Sequence, residues 1–551
     1  MQRLYGFFGF GHFKRYYFFA FVFHPEKIIL PVCLERTTEC TYLSVNFTLT
    51  QENQSYPPVN APSQLYRSSL SLLTDLYQIT MAYGYWKSGN AEKESVFSLF
   101  FRKNPFGGGL TVACGLEQAI DFIQNFRFTE DDVAYLATLT GNDEKPLFEP
   151  AFLEYLQNLR FTGEVDAIPE GTVVFPQEPL LRVRGPILQC QILETPLLNL
   201  INFQSLIATK AARMKMVTRG EPVLEFGLRR AQGMDGGITA SRAAYIGGAD
   251  ATSNVLAGKL FGIPVRGTHA HSWVMSFDSE EESFETYAEV LPNNCIFLVD
   301  TFDTIEGVKK AILVGKKLQA KGHKFGGIRL DSGDLAYFSI EARKLLDAAG
   351  FQDAAIVASN DLDENIIQSL KDQGAMINVW GVGTKLVTAY DQPALGGVYK
   401  LAAIRNDKTG EWDYKIKLSE QTIKISTPGI QQVRRYRNEN GFVADMIFDT
   451  ETHAEKPEDV MIDPMDFTKR RRLDNTMPHE DLLVPVFRQG GLVYDLPDIQ
   501  TIKKRLSAQL VGFHEGIKRF VNPHLYPVGL EKGLYDFKTD LILKLRKFNG
   551  K

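Results

Sequence analysis

The sequence predicts an α/β fold: a parallel sheet closed or nearly closed into a barrel, with lobes on either side in the chain. Three observations predict it. From Glu221 onward, apolar runs alternate with helical segments. The runs are continuous rather than alternating, as strands buried on both faces require. Six of them end in polar or glycine residues, the pattern of a barrel whose active site lies at the C-terminal ends of its strands.

The first 66 residues stand apart. They are crowded with aromatics, hold no sustained period and end in the polar stretch QENQSYPPVNAPSQ, so a disordered extension is expected. The run Tyr16 to Phe23 behind Lys14 and Arg15 lacks the cleavage site of a secretory signal. Residues 67–220 form an N-terminal lobe, with SVFSLFFR, GTVVFP and LLRVRG as strands and Leu193 to Met214 as a long apolar helix.

Residues 221–406 form the barrel. PVLEF and IPVRGT open it. NCIFLVDT follows, with a helix that carries Val308, Ala311, Ile312, Gly315 and Leu318 on one face and stops at Gly322. FGGIRLD precedes a helix from Leu335 to Gly350, AAIVASND precedes one from about Glu364 to Gly374, and MINVWGVGT and GGVYKLAAI close the series. About seven strands favour a barrel over an open doubly wound sheet, with closure itself left open. Residues 407–551 return to short elements, a C-terminal lobe.

Composition excludes several classes. With 66 acidic and 61 basic residues the net charge is -5, so no broad basic surface faces nucleic acid. The dense basic run TKRRRL, Thr468 to Leu473, reads as solvated surface or a localisation signal. Five cysteines, at 33, 40, 114, 190 and 295, make neither a disulfide framework nor a CxxC zinc pair; a reducing, cytoplasmic compartment fits. No run approaches the roughly 18 apolar residues of a membrane span.

The strand ends carry the chemistry. Arg229 and Arg230, Thr268 with His271, Asp300, Arg329 with Asp331, and Asn360 with Asp361 fall there. GVGTKL (Gly381, Gly383, Thr384) and ALGGVYKL (Gly396, Gly397) offer bare backbone amides for a phosphate as the last two barrel loops. Asp331 suits the hydroxyls of a sugar phosphate, whereas Asp334 is better placed to cap the next helix. Arg329 is two residues before Asp331, on the same face; it fits a structural ion pair or a bidentate grip on a carboxylate ligand equally. GTHAHSW (267–273) sets His269 and His271 two apart, with no further metal ligands at suitable spacing nearby.

These motifs, with LLTDLYQITMAYGYW, FFRKNPFGG, EFGLRRAQGMDGG, IRLDSGDL and NPHLYPVGLE, resemble nicotinate phosphoribosyltransferase in the same order from about Ser71 to Lys547. The resemblance implies a type II phosphoribosyltransferase fold, and an enzyme that makes nicotinate mononucleotide from nicotinate and phosphoribosyl pyrophosphate with ATP hydrolysis. It implies Mg2+ (or Mn2+) carried largely by phosphates, and a homodimer with shared sites. It attaches nicotinate binding to Tyr77, Phe226, Thr268 and Arg329, with Tyr77 reaching in from the partner subunit. Phosphoribosyl pyrophosphate falls to Arg102, Lys103, Arg229, Asn360 and the glycine loops (Gly381, Gly383, Gly396, Gly397), with Thr384 on the 5′-phosphate, while Asp331 is expected to be catalytic together with His271. His271 becomes the phosphorylated histidine, while His269, at the motif's variable position, is given no role. Rival readings are a nicotinamide or quinolinate phosphoribosyltransferase and a silent scaffold of the same fold.

Overall fold

The computed structural model describes residues 69–453, 458–474 and 476–547, and the backbone of three strands before them, Val22–His24, Lys27–Cys33 and Cys40–Asn46. Those three pair antiparallel, a departure from the disordered extension expected of this stretch. The rest of 1–66 lies outside the described residues. The chain divides into two units, Met1–Pro58 and Val59–Lys551. The second holds the barrel, two large sheets and every candidate site residue.

The barrel wall is six parallel strands in the spatial order Ala251–Thr252, Val223–Glu225, Val379–Val382, Ala355–Ala358, Gly327–Leu330, Ile296–Leu298. Their residues are apolar on both faces because the ring interior and the surrounding helices both exclude water; Phe297, Ile328, Leu330, Ile356, Trp380 and Val382 are all buried. The last strand in the chain, Val379–Val382, pairs with the first, Val223–Glu225, so the sheet curls back on itself. Beyond Thr252 the wall continues only as a single bridge to Val265. No ladder joins that segment to Ile296–Leu298, and the ring is left incomplete there among the described residues.

The outer helices follow the predicted faces. Thr304–Ala320 buries Val308, Ala311, Ile312, Gly315 and Leu318, and Asp303 caps its start by accepting from the Glu306 N–H. Leu335–Ala348 is capped by Asp334 and Glu364–Asp372 by Asp363 in the same way.

Two expected barrel strands are corrected. IPVRGT contributes only the Val265 bridge, and Ala251–Thr252 takes the place next to Val223–Glu225. GGVYKLAAI leaves the barrel altogether. As Gly397–Arg405 it pairs antiparallel with Glu94–Phe101 in a seven-stranded sheet that also contains Glu164–Ala167, Leu181–Pro186 and Val484–Arg488. That sheet therefore draws on segments assigned to both lobes and to the barrel. A further six-stranded sheet is built from residues 431–531, with the basic run on its edge strand Asp466–Arg472. The long helix Glu194–Val217 packs against the barrel helices Gly233–Ile246 and Glu364–Asp372 and against the strand Gly397–Arg405. No helix among the described residues is long and apolar enough to cross a membrane.

Candidate active site

The C-terminal ends of the barrel strands converge on Arg329. Its guanidinium is largely buried and held by each of its three nitrogens: Nε donates to Ser359 Oγ at 2.7 Å, one terminal nitrogen to Thr268 Oγ1 at 3.0 Å, and the other to Asp331 Oδ1 at 2.8 Å, with one N–H left on each terminal nitrogen. These partners come from two strand ends and the loop after the Val265 bridge, so one planar cation ties the rim together. The Phe226 ring lies beside it, with its centroid 5.8 Å from Cζ. Ser359 also donates to the carboxylate of Asp331.

Asp331 is held by its surroundings. Burial pushes its pKa up, but hydrogen bonds from Ser359 and Arg329 and the nearby positive charge outweigh that and hold the carboxyl below its usual range. Its backbone N–H donates to Asp300 Oδ2 at 2.8 Å, and the same oxygen accepts from Ser332 Oγ at 2.6 Å. Asp300 thus fixes the turn that presents Asp331.

His271 opens the short helix His271–Met275 and leaves 40% of its side chain exposed. Its Nδ1 is 3.1 Å from Thr301 Oγ1, and its Nε2 is 3.8 Å from Asp331 Oδ2. Thr301 occupies Nδ1, which leaves Nε2 toward the open rim.

His269 points the other way. Only 7% exposed, it packs among Phe284, Tyr287 and Phe297, and burial pushes its pKa down to about 4. Its Nε2 accepts the Leu298 backbone N–H at 3.2 Å. A neutral imidazole therefore stands where the missing strand pairing would be, on the free edge of Ile296–Leu298.

The glycine loop has a steric reason. A Cβ on Gly381 would come within 2.9 Å of the Phe226 ring, so the ring owes its place to that bare backbone. Thr384 begins the turn Thr384–Val387 directly after Gly383, and Lys385 is tied to Asp363 at 2.6 Å.

Comparison with known proteins now decides the family. The model of the nicotinate phosphoribosyltransferase N-terminal domain matches residues 72–202, that of the family proper 223–424, and that of the C-terminal domain 430–538. The nicotinate phosphoribosyltransferase of Bacillus subtilis (strain 168) is 46% identical over 485 residues, 87% of this chain and 96% of its own. The chain belongs to the nicotinate phosphoribosyltransferase family. The Caenorhabditis elegans nicotinate phosphoribosyltransferase is 38% identical over 534 residues, 86% of this chain and 93% of its own. The crystal structure of human nicotinic acid phosphoribosyltransferase has a TM-score of 0.74 at 33% identity, covering 85% of this chain and 99% of that one. This settles the fold class as the type II phosphoribosyltransferase one, with the barrel incomplete as described.

Of the positions to which the nicotinate phosphoribosyltransferase resemblance attaches roles, the rim gathers Phe226, Thr268, His271, Arg329, Asp331 and Gly381. Asn360 follows Ser359 and is exposed, with φ 137°, a conformation costly for a side chain other than glycine. Gly383 and Thr384 continue from Gly381, and Arg229 sits exposed on the turn Leu228–Arg230 just after Phe226.

Five positions are elsewhere. Gly396 and Gly397 are not barrel loops: Gly397 pairs with Phe101, and a Cβ there would collide with the Asn202 amide. Arg102 and Lys103 follow that same Phe101 and make no hydrogen bond or ion pair with the rim residues. Tyr77 lies 48% exposed on the helix Leu76–Lys87. Sequence reasoning missed Ser359 and Thr301, whose only signal was a hydroxyl at a strand end.

Proposed function

We propose that this protein forms nicotinate mononucleotide and pyrophosphate from nicotinate and 5-phosphoribosyl 1-pyrophosphate, in NAD biosynthesis, with ATP hydrolysis coupled through phosphorylation of His271. The family assignment supports the transfer. The observation that carries the assignment to residues is the Arg329 cluster: a buried cation whose side chain is fixed by Thr268, Ser359 and Asp331 beside the Phe226 ring.

The pyridine nitrogen carries its own lone pair, so no general base is needed. That pair forms the bond to C1 of the ribose as the C1–O bond to pyrophosphate breaks, and pyrophosphate takes its electrons away. The site must orient the reactants and stabilise the charge that separates. Phe226 holds the ring flat, Arg329 and Thr268 meet its carboxylate, and Asp331, kept ionised, faces the ribose hydroxyls. A neutral amide gains less from that guanidinium, which favours nicotinate over nicotinamide.

The exposed Nε2 of His271 is the nucleophile toward the γ-phosphate of ATP, with ADP leaving. The product brings roughly two negative charges to the rim, beside Asp331 and Arg329, which couples ATP use to occupancy of the site. Among the described residues no group of three or more His, Cys, Asp or Glu side chains could hold a metal ion by itself. Mg2+, or Mn2+, would be carried largely by substrate phosphate oxygens, whose charge it would neutralise.

Leu73, Leu76, Tyr77 and Met81 leave an exposed apolar face at the start of the first helix of this unit. A partner subunit in a homodimer covers it, delivering Tyr77 to the second rim. The compartment is cytoplasmic.

The test is incubation of purified protein with nicotinate, phosphoribosyl pyrophosphate, Mg2+ and ATP, with the mononucleotide read by mass. His271→Ala retains weak synthesis and loses ATP stimulation; undiminished stimulation removes the phosphohistidine, and no product from the wild type removes the transferase.

A further inference from the structure

The basic run TKRRRL has no part in the rim. Its residues Lys469, Arg470 and Arg471 form one wall of a cleft of about 810 Å³, within the range that holds a nucleotide-sized ligand. Arg102 and Arg519 line the same cleft from other parts of the chain. Among the described residues lining it, those five cations face a single carboxylate, Asp463.

The cations are poorly neutralised. Arg470 Nε donates to the Phe467 carbonyl at 3.0 Å, and Arg471 to the Val443 carbonyl at 2.9 Å, so both guanidiniums are spent on backbone oxygens with donors to spare. Lys469 stands 3.4 Å from Asp466, and both are partly open to solvent. Arg102 Nε is shut off from solvent without a hydrogen-bond partner, a cost that an accepting ligand oxygen would remove. A row of like charges along one edge strand repels itself, and a multivalent anion laid along it removes that repulsion.

We propose that this cleft binds a polyphosphate chain, held by the cations that line it: Arg102, Lys469, Arg470, Arg471 and Arg519. The chain's source is either a nucleoside triphosphate or an inorganic polyphosphate. Arg102 is the one residue of the cleft to which the sequence resemblance attached phosphoribosyl pyrophosphate; no rim residue takes part, and the proposal stands or falls separately.

The experiment is calorimetric titration of the full-length protein with tripolyphosphate, ATP and orthophosphate, at low and high KCl, with circular dichroism and melting to confirm that each variant is folded. Wild type binds tripolyphosphate, with affinity falling as salt rises. R470A/R471A weakens it by about tenfold or more, and R470K/R471K restores most of that loss. A larger loss of ATP affinity than of tripolyphosphate affinity in R470A/R471A assigns the cleft to nucleotides, and equal losses assign it to the phosphate chain alone. Unchanged affinity in R470A/R471A, or orthophosphate binding as tightly as tripolyphosphate, overturns the proposal. Mononucleotide synthesis by the wild type, measured alongside, reports on the transferase reading independently of these titrations.

Discussion

His269 Nε2 accepts a hydrogen bond from the backbone N–H of Leu298, 3.2 Å away, across the gap in the barrel wall. The edge strand Ile296–Leu298 would otherwise present a buried, unpaired donor. Thr268 and His271, on either side of His269, bond to Arg329 and Thr301 respectively, so the latch also sets where the rim residues stand.

Replacing His269 by Leu removes the acceptor and leaves the Leu298 N–H stranded. Stability falls by about 1–3 kcal/mol by urea denaturation, with a loss of turnover as Thr268 and His271 shift. His269→Gln, whose carbonyl oxygen can accept the same bond, recovers part of both.

Acid should act through the same ring. The folded pKa of His269 is held down at about 4, while the unfolded chain titrates near the ordinary value of about 6.5. Below that value the unfolded state takes up a proton that the folded state refuses. The contribution is intact above pH 6.5 and is lost as the pH drops toward 4, amounting to about 3 kcal/mol. Denaturation midpoints at pH 7, 5.5 and 4.5 should therefore decline more steeply for the wild type than for His269→Gln.

Arg329→Lys keeps the charge and discards the fork. An ammonium cannot meet Ser359, Thr268 and Asp331 in one plane, so the cation moves. The expected outcome is a rise in the KM for nicotinate of about tenfold to a hundredfold, worth roughly 1.5–3 kcal/mol, with reduced preference for nicotinate over nicotinamide. Steady-state kinetics with both pyridines checks it.

Gly381→Ala tests the packing of the loop on Phe226. The added methyl lies 2.9 Å from the ring, which must tilt or move away. About 1–3 kcal/mol of stability is lost, and nicotinate affinity weakens more than that of phosphoribosyl pyrophosphate. Melting temperature and separate KM values distinguish this from a general defect.

Much of this was legible in the chain. The barrel strands announced themselves as unbroken apolar runs, and Asp334 read as a cap because an acid three residues before a free N–H has few better uses. Convergence of Thr268, His271, Arg329 and Asp331 followed from their places at strand ends. Three things were not legible. GGVYKLAAI looks like any buried strand, and only its distant partner Glu94–Phe101 decides which sheet it joins. Ala251–Thr252 is too short to carry a period. His269 depends on a gap between two strands, and a gap has no residues of its own to read.

The seven-stranded sheet places Glu94–Phe101 between Leu181–Pro186 and Gly397–Arg405, with Val484–Arg488 farther out on Glu164–Ala167. During synthesis, one edge of that early strand stays unsatisfied until some three hundred more residues have left the ribosome. The barrel, whose strands all lie within residues 223–382, can close in the meantime. Chaperone capture of nascent chains should thus concentrate on the front of the polypeptide, and a release just short of residue 397 should yield a formed barrel attached to a sticky, half-built sheet.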